Sequence, residues 1–265
     1  MLKARSYAKL NLYLFIRGKR EDGYHLIESE FQTIGLYDEI YIKPAKEFIL
    51  ECSGEKVPCD ERNLVYKAFS LFKKTTGIEG EVKITLRKNI PKGRGLGGGS
   101  SNAAITLLLL NRLAGQILNE REISELASRI GADVPFFLKG GRAKVSGIGE
   151  ILKPMDDFEG YAVVVDPGFE ISTAEAYKEY DRLAKEGFDF SIYKNHLLPA
   201  AISLRPELSV LVEMGMDMTG SGSAFFKIFS HREQAMAFYG KIQRWRKWVI
   251  PLISSSEYRK FSFGE

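Results

Sequence analysis

Cysteine is almost missing from this chain of 265 residues, which has only Cys52 and Cys59. Two thiols with no histidine close in sequence cannot fill a structural zinc site. They are expected to be free thiols of a reducing cytoplasm, with one local disulfide as the alternative. No apolar run approaches the length of a membrane span, which argues against a helical membrane protein. The first residues carry Lys3 and Arg5, but their apolar run is broken by Lys9 and Asn11 and ends in Arg17-Gly-Lys-Arg20. With no small-residue cleavage site either, a signal peptide is not expected. Charge of one sign is also lacking: the formal net charge of +4 suits anionic ligands without arguing for nucleic acid. There is no internal repeat and no low-complexity segment. What remains is ordinary globular material, 45% hydrophobic and 27% charged, long enough for one large or two modest domains.

Glycine, by contrast, is concentrated in one place. Five of the twelve residues in Pro91-Lys-Gly-Arg-Gly-Leu-Gly-Gly-Gly-Ser-Ser-Asn102 are glycine. Before them, residues 82–87 alternate apolar and polar and predict a strand. After them, residues 103–110 predict a buried helix closing near Gly115. A strand, a glycine loop and a helix start together make an anion site: glycines let backbone N–H groups converge, and the first N–H groups of a helix lack partners and sit at the positive end of its dipole. Ser100 and Ser101 are placed to cap the helix, touch a phosphate oxygen or help place a metal ion. The Walker A pattern fails, because counting from Gly93 puts Gly99 where its lysine belongs. Gly93, Gly95 and Gly98 match the dinucleotide fingerprint, but Asn119 and Glu122 read as a capping box opening a helix where an acidic strand end is wanted. Protein-kinase motifs are absent.

Elsewhere the pattern predicts a strand over residues 4–17, with Lys9 and Asn11 on one face. A turn runs from Arg17 to Gly23, and strands follow through Phe31 and Ile34 and over 39–43. Residues 48–60 read as irregular. A helix opens at Asn63, an N-cap residue, and another spans 120–130. Asp133 follows that helix as a turn carboxylate or something more. A buried strand covers 161–165, residues 180–195 read as polar and irregular, and residues 231–244 read as a helix. Arg244-Trp-Arg-Lys-Trp248 could bind nucleic acid but reads as an ordinary helix end. An edge strand over 248–252 tolerates Pro251, and a frayed tail runs from Ser254.

Pro-x-Gly-x-Gly-Leu-Gly-Gly-Gly-Ser-Ser-Asn-Ala-Ala resembles the central motif of the GHMP kinases, which phosphorylate small molecules. Ala8-Lys-Leu-Asn-Leu12, Asp22-Gly-Tyr-His25 and Gly131-Ala-Asp-Val-Pro-Phe-Phe137 resemble other motifs of the family, and Met218-Thr-Gly-Ser-Gly-Ser-Ala224 its third glycine loop. Asp22-Gly-Tyr-His25 selects the member that phosphorylates a hydroxyl (the 2-hydroxyl) of a cytidine-diphosphate-bearing alcohol in the non-mevalonate isoprenoid pathway, over homoserine or mevalonate kinases.

The resemblance implies an α+β fold of two domains, residues 1–154 and 155–265, with the active site in the cleft between them. It implies Lys9 and Asp133 as catalytic residues. ATP would be bound by Asn63, Pro91, Gly93, Gly95, Leu96, Gly97, Gly98, Gly99, Ser100 and Ser101. The cytidine substrate would be bound by Asn11, Tyr24, His25, Thr173, Tyr177, Gly220 and Ser221. ATP with Mg²⁺ is the implied cofactor, with no dedicated metal ligands, no nucleic-acid or membrane partner and a cytoplasmic location; the oligomeric state stays open. One segment departs from the pattern. Asn195-His-Leu-Leu198 stands where relatives show Asn-Asp-Phe/Leu-Glu, so both carboxylates are gone.

Overall fold

The computed structural model describes residues 1–263. Its frame is one long hairpin. Strand β1 (Leu2–Lys19) pairs antiparallel with β2 (His25–Ala45) along almost its whole length. Register shifts at Tyr7/Ala8 and Asn11/Tyr13 bracket Lys9 and Asn11, which keep the two-residue spacing of a common face. Two strands were expected where β2 stands alone. Gly35 passes through it in extended backbone, packed against Pro251, without turning. The far edge of β2 takes β4 (Glu81–Lys88) at one end and β5 (Arg142–Ser146) at the other. Strands β3 (Ile49–Gly54) and β6 (Ile151–Pro154) complete a six-stranded sheet. The segment read as irregular thus contains a strand: β3 is an edge strand running parallel to β4, and its inward face, Leu50 and Cys52, is only partly buried against the core.

Helices α1 (Leu64–Thr76), α2 (Gly98–Leu113) and α3 (Glu120–Ile130) bury their apolar side chains against this sheet. The expected capping box at α3 is present, with Asn119 and Glu122 bonded reciprocally. A second sheet has the order β10-β7-β9-β8, formed by β7 (Tyr161–Asp166), β8 (Asp217–Met218), β9 (Phe225–Phe229) and β10 (Arg246–Pro251). Strand β10 is an edge, as Pro251 requires. Helices α4 (Thr173–Lys185), α5 (Leu198–Leu204), α6 (Ser209–Glu213) and α7 (Arg232–Lys241) accompany it. Helix α4 carries regular structure to Lys185, into the stretch read as irregular, because ion pairs such as Arg182–Glu179 and Arg182–Glu186 support its polar face.

The two sheets meet. Ile34 bridges to Leu252, and Ala8, Leu10, Leu96, Val164 and Phe226 share a buried cluster between them. Two expectations at the C-terminal end are corrected. The basic-aromatic run is a turn and strand start, with Trp245 in left-handed backbone. Two of its three cations are engaged elsewhere in the fold: Arg246 pairs with Glu55, and Lys247 donates to the Tyr239 carbonyl near the end of α7. The tail is not frayed, since α8 (Ser255–Phe263) returns to the first sheet. There Tyr258 is fully buried beside Tyr7 and donates to the Phe137 carbonyl at 2.5 Å.

Candidate active site

The glycine loop delivers what its composition demands. Gly97 caps α2 in left-handed backbone (φ 70°), and no side chain caps the helix, so its first N–H groups remain open. A Cβ on Gly97 would stand 2.8 Å from the Phe137 ring and 3.0 Å from Lys9 Cγ. A Cβ on Gly95 would stand 2.2 Å from the Thr219 carbonyl oxygen. Glycine is therefore required at both positions for close approach as well as for φ. The helix starts within the glycine run, five residues ahead of the expected 103. With Gly97 as the cap, the serines fall inside the helix. Ser101 turns into the core and accepts a hydrogen bond from Ser6 Oγ at 2.7 Å, so it neither caps nor reaches open space.

Beneath the loop lies a buried polar cluster. Asp38, fully buried, accepts from the backbone N–H groups of Asn89 and Ile90, from Lys88 Nζ at 2.5 Å and from Asn102 Nδ2 at 2.8 Å. Asn102 also donates to Ser6 Oγ. The carboxylate thus ties the end of β4 to the first turns of α2 and fixes the loop between them. On the other side the loop is tied to the second sheet. Arg94 Nε donates to Asp166 Oδ1 at 2.6 Å, and Ala224 N donates to the Arg94 carbonyl.

Lys9 lies at the loop's inner wall, 3% exposed, and its backbone N–H donates to the Leu96 carbonyl. Its ammonium donates to Asn11 Oδ1, stands over the Phe31 ring and lies 3.5 Å from Asp133 Oδ2. Burial pulls the Lys9 pKa down, and the Asp133 carboxylate opposes that pull. Asp133 is partly exposed and projects from the turn between α3 and the short 3-10 helix Pro135–Leu138. A buried cation beside an open carboxylate, at the mouth of an anion cradle, is an arrangement suited to taking a proton from a hydroxyl next to a phosphoryl group.

The opposite side is aromatic. The His25 ring stacks on Tyr177 (centroids 4.6 Å apart, 22° between planes), and Tyr180 meets it edge-on. His25 Nε2 lies 2.7 Å from Asp181 Oδ1, and Lys19 Nζ lies 2.5 Å from Asp181 Oδ2. Burial, with a contribution from the Asp133 charge, pushes the Tyr177 hydroxyl up to about 12, so it stays protonated. Tyr24 stands at the rim, 60% exposed. Thr173 Oγ1 and Ser221 Oγ are 3.0 Å apart, and Asn195 holds the loop beside them by donating to the Met218 and Gly220 carbonyls. Asn195, the one residue of the departing segment that keeps the expected pattern, is the clamp. His196, where a carboxylate was lost, accepts the Ile16 N–H at Nδ1, and burial lowers its pKa.

One cavity of about 1080 Å³ gathers these groups between the two sheets. It is lined by Lys9, Asn11, Tyr24, His25, Asn63, Pro91, Gly93, Gly95, Leu96, Gly97, Gly98, Gly99, Ser100, Asp133, Thr173, Tyr177, Gly220 and Ser221. Of the residues expected there, only Ser101 is elsewhere. Asn63 lines the wall, but its side chain is occupied: it caps α1 by accepting from Val65 N and donates to the Pro58 carbonyl. Sequence reasoning missed Lys19, Lys88, Arg94 and Asp181, which also line the cavity. Their oppositely charged partners are 50 to 162 residues away, so no local pattern announces those pairs. Among the described residues no cluster of three His, Cys, Asp or Glu is placed to hold a metal ion, and no helix is long and apolar enough to cross a membrane.

Residues 63–141 match the profile of the GHMP kinases N terminal domain. The chain is 37% identical to the 4-diphosphocytidyl-2-C-methyl-D-erythritol kinase of Caldanaerobacter subterraneus, over 97% of this chain and 96% of the relative. A protein of the same name from Persephonella marina is 48% identical over 66% of this chain and 64% of its own length. Among solved structures, a 4-(cytidine 5'-diphospho)-2C-methyl-D-erythritol kinase superposes with a TM-score of 0.75 at 34% identity, covering 95% of this chain and 99% of the other. The Methanococcus jannaschii mevalonate kinase shares the fold alone, with a TM-score of 0.69 at 15% identity and coverage of 96% and 98%.

Proposed function

This chain belongs to the 4-diphosphocytidyl-2-C-methyl-D-erythritol kinase family of the GHMP kinases, and we infer from that membership and the cavity that it transfers the γ-phosphoryl group of ATP to a hydroxyl, the 2-hydroxyl, of that cytidine compound in isoprenoid biosynthesis. The observation that carries the chemistry is the Lys9–Asp133 pair beside the open N-terminus of α2.

Phosphoryl transfer asks for positioning and charge stabilisation more than covalent chemistry. The N–H groups from Gly95 to Ser100 receive the triphosphate. Asp133 accepts the proton of the attacking hydroxyl. Lys9 stands beside the Asp133 carboxylate and faces the charge that develops on the transferring group. Asn11 fixes the Lys9 ammonium and is itself held by Ser29 and Thr219. Tyr24, His25 and Tyr177 receive the cytosine, and Thr173, Gly220 and Ser221 the diphosphate side of the acceptor.

Mg²⁺ fits this donor set, since with no carboxylate cluster among the described residues a metal would take its ligands chiefly from phosphate oxygens and water, with the Ser100 hydroxyl lining the same cavity. Bound there, it would neutralise phosphate charge. We divide the chain at 154/155 into an ATP-binding and a C-terminal domain, a reading supported by the separate sheets on either side. We assign the protein to the cytoplasm, with no nucleic-acid or membrane partner.

The test is ADP release from Mg-ATP with purified 4-diphosphocytidyl-2-C-methyl-D-erythritol, beside homoserine and mevalonate. Turnover is expected with the cytidine substrate alone. Turnover only with a control would keep the kinase and discard the acceptor. ATP binding without turnover on any of them would discard the enzyme.

A further inference from the structure

Asp181 has two oxygens and two different partners. Oδ1 faces His25 Nε2 at 2.7 Å, and Oδ2 takes the Lys19 ammonium at 2.5 Å. An ionised carboxylate only accepts hydrogen bonds, so the proton on this edge of the imidazole sits on Nε2. With one proton on a neutral ring, Nδ1 is then an acceptor. The buried side-chain atoms left unpaired among the described residues are Gln32 Oε1, Thr33 Oγ1 and Ser262 Oγ. His25 Nδ1 is equally without a partner among the described residues yet is not one of them, so it reaches accessible space. The space His25 lines is the cavity. Stacking on Tyr177 and the edge contact with Tyr180 keep the ring from turning over.

We propose that Asp181, held by Lys19, is a positioning residue that fixes the proton of His25 on Nε2 and thereby makes the enzyme read cytosine rather than uracil. This rests on the functional reading above. The two pyrimidines differ at position 4, where cytosine carries an amine that donates and uracil a carbonyl that accepts. An acceptor at His25 Nδ1 completes a hydrogen bond with the first and opposes the second. A buried polar site that meets the wrong partner loses the bond and bears the desolvation besides, which makes such contacts selective.

Lys19 supplies a sharp test. In Asp181→Asn one oxygen remains, and the Lys19 cation claims it. The amide then turns its N–H₂ toward His25 Nε2, which must accept, and the proton moves to Nδ1. In the double variant Lys19→Met/Asp181→Asn the competitor is gone, so the amide oxygen returns to Nε2–H.

The experiment measures steady-state kinetics with 4-diphosphocytidyl-2-C-methyl-D-erythritol and its uridine counterpart. In parallel it reads the imidazole nitrogens of ¹⁵N-histidine-labelled protein without substrate at about pH 8, above the ordinary histidine range. The chain has three histidines, and a His25→Gln spectrum assigns the signal. Wild type is expected to show the Nε2–H form and to prefer cytidine. Asp181→Asn is expected to show Nδ1–H and to lose about tenfold or more of the cytidine-to-uridine ratio in kcat/KM, chiefly through KM. The double variant is expected to recover both. An unchanged ratio and tautomer in a folded Asp181→Asn protein, an Nδ1–H wild type, or a double variant no better than the single would each overturn the proposal. Absence of wild-type turnover on the cytidine substrate would instead overturn the functional reading. The spectra, which need no substrate, would still decide whether Asp181 holds the His25 proton.

Discussion

Lys9 and Asp133 divide one task between opposite conditions, a cation taken out of water and a carboxylate left partly in it. Removing the proposed base should therefore be costly: Asp133→Asn is expected to lower turnover on the order of 10²-fold or more while ATP still binds. Single-turnover kinetics with a binding control would check it, and a loss under threefold would rule Asp133 out as the base. Lys9 should show the opposite balance between stability and activity. Its pKa is held below the usual 10.5 by burial, so the unfolded chain binds that proton more tightly than the folded one. The resulting cost to stability is full below the folded-state pKa and fades as pH rises toward 10.5. Lys9→Met is thus expected to hold or raise stability near neutral pH by about 1–2 kcal/mol, with the gain shrinking in alkali, while turnover collapses. Denaturant titration at two pH values would show it, and a loss above about 1 kcal/mol would contradict it. Both residues were legible because each lies in a short motif whose spacing survives in the sequence. Lys19 and Asp181 were not, since the contact that gives them meaning spans 162 residues.

At the scale of elements, the phosphate cradle depends on a carboxylate that never touches the ligand space. Asp38 receives two backbone N–H groups, a lysine and an asparagine, and pins β4 to α2. Asp38→Ala would leave the Lys88 charge buried and unpaired, which is expected to cost about 3–5 kcal/mol. Chemical denaturation measures this directly, and a loss below about 1 kcal/mol would show that the cradle is held by packing instead. The strand, loop and helix around it were readable from alternation and glycine content. The true start of α2 was not, because glycine has poor helix propensity and the residues that stabilise this turn are supplied from β1 and β2. Strand β3 escaped because its inward face is two residues long and only partly buried, too short to mark an alternation.

For the whole molecule, the chain crosses between its two sheets more than once. Leu14, Ile16 and Ile27, from the first hairpin, belong to the core of the second sheet, while Tyr258, from the last helix, belongs to the core of the first. A chain cut at 154/155 is therefore not expected to give two independently folded halves, and the intact protein is expected to unfold in one transition seen alike by near- and far-UV circular dichroism. A stable, cooperatively folding 1–154 fragment would refute this. None of it was visible in periodicity, which reports faces but not partners; the tail looked frayed because Tyr258 and Phe263, which pack against the first core, are spaced among polar residues.

The cradle around Gly95 and Gly97 is made of main chain, whereas the nucleoside side is made of side chains. An inhibitor that mimics the triphosphate would meet groups that no point mutation can readily alter, but it would meet much the same geometry in other kinases sharing the cradle. One that reaches Tyr177, His25 and Asp181 would gain selectivity at the cost of exposing itself to escape by single substitutions. A compound spanning both would force resistance to pass through residues the enzyme needs for its own substrate.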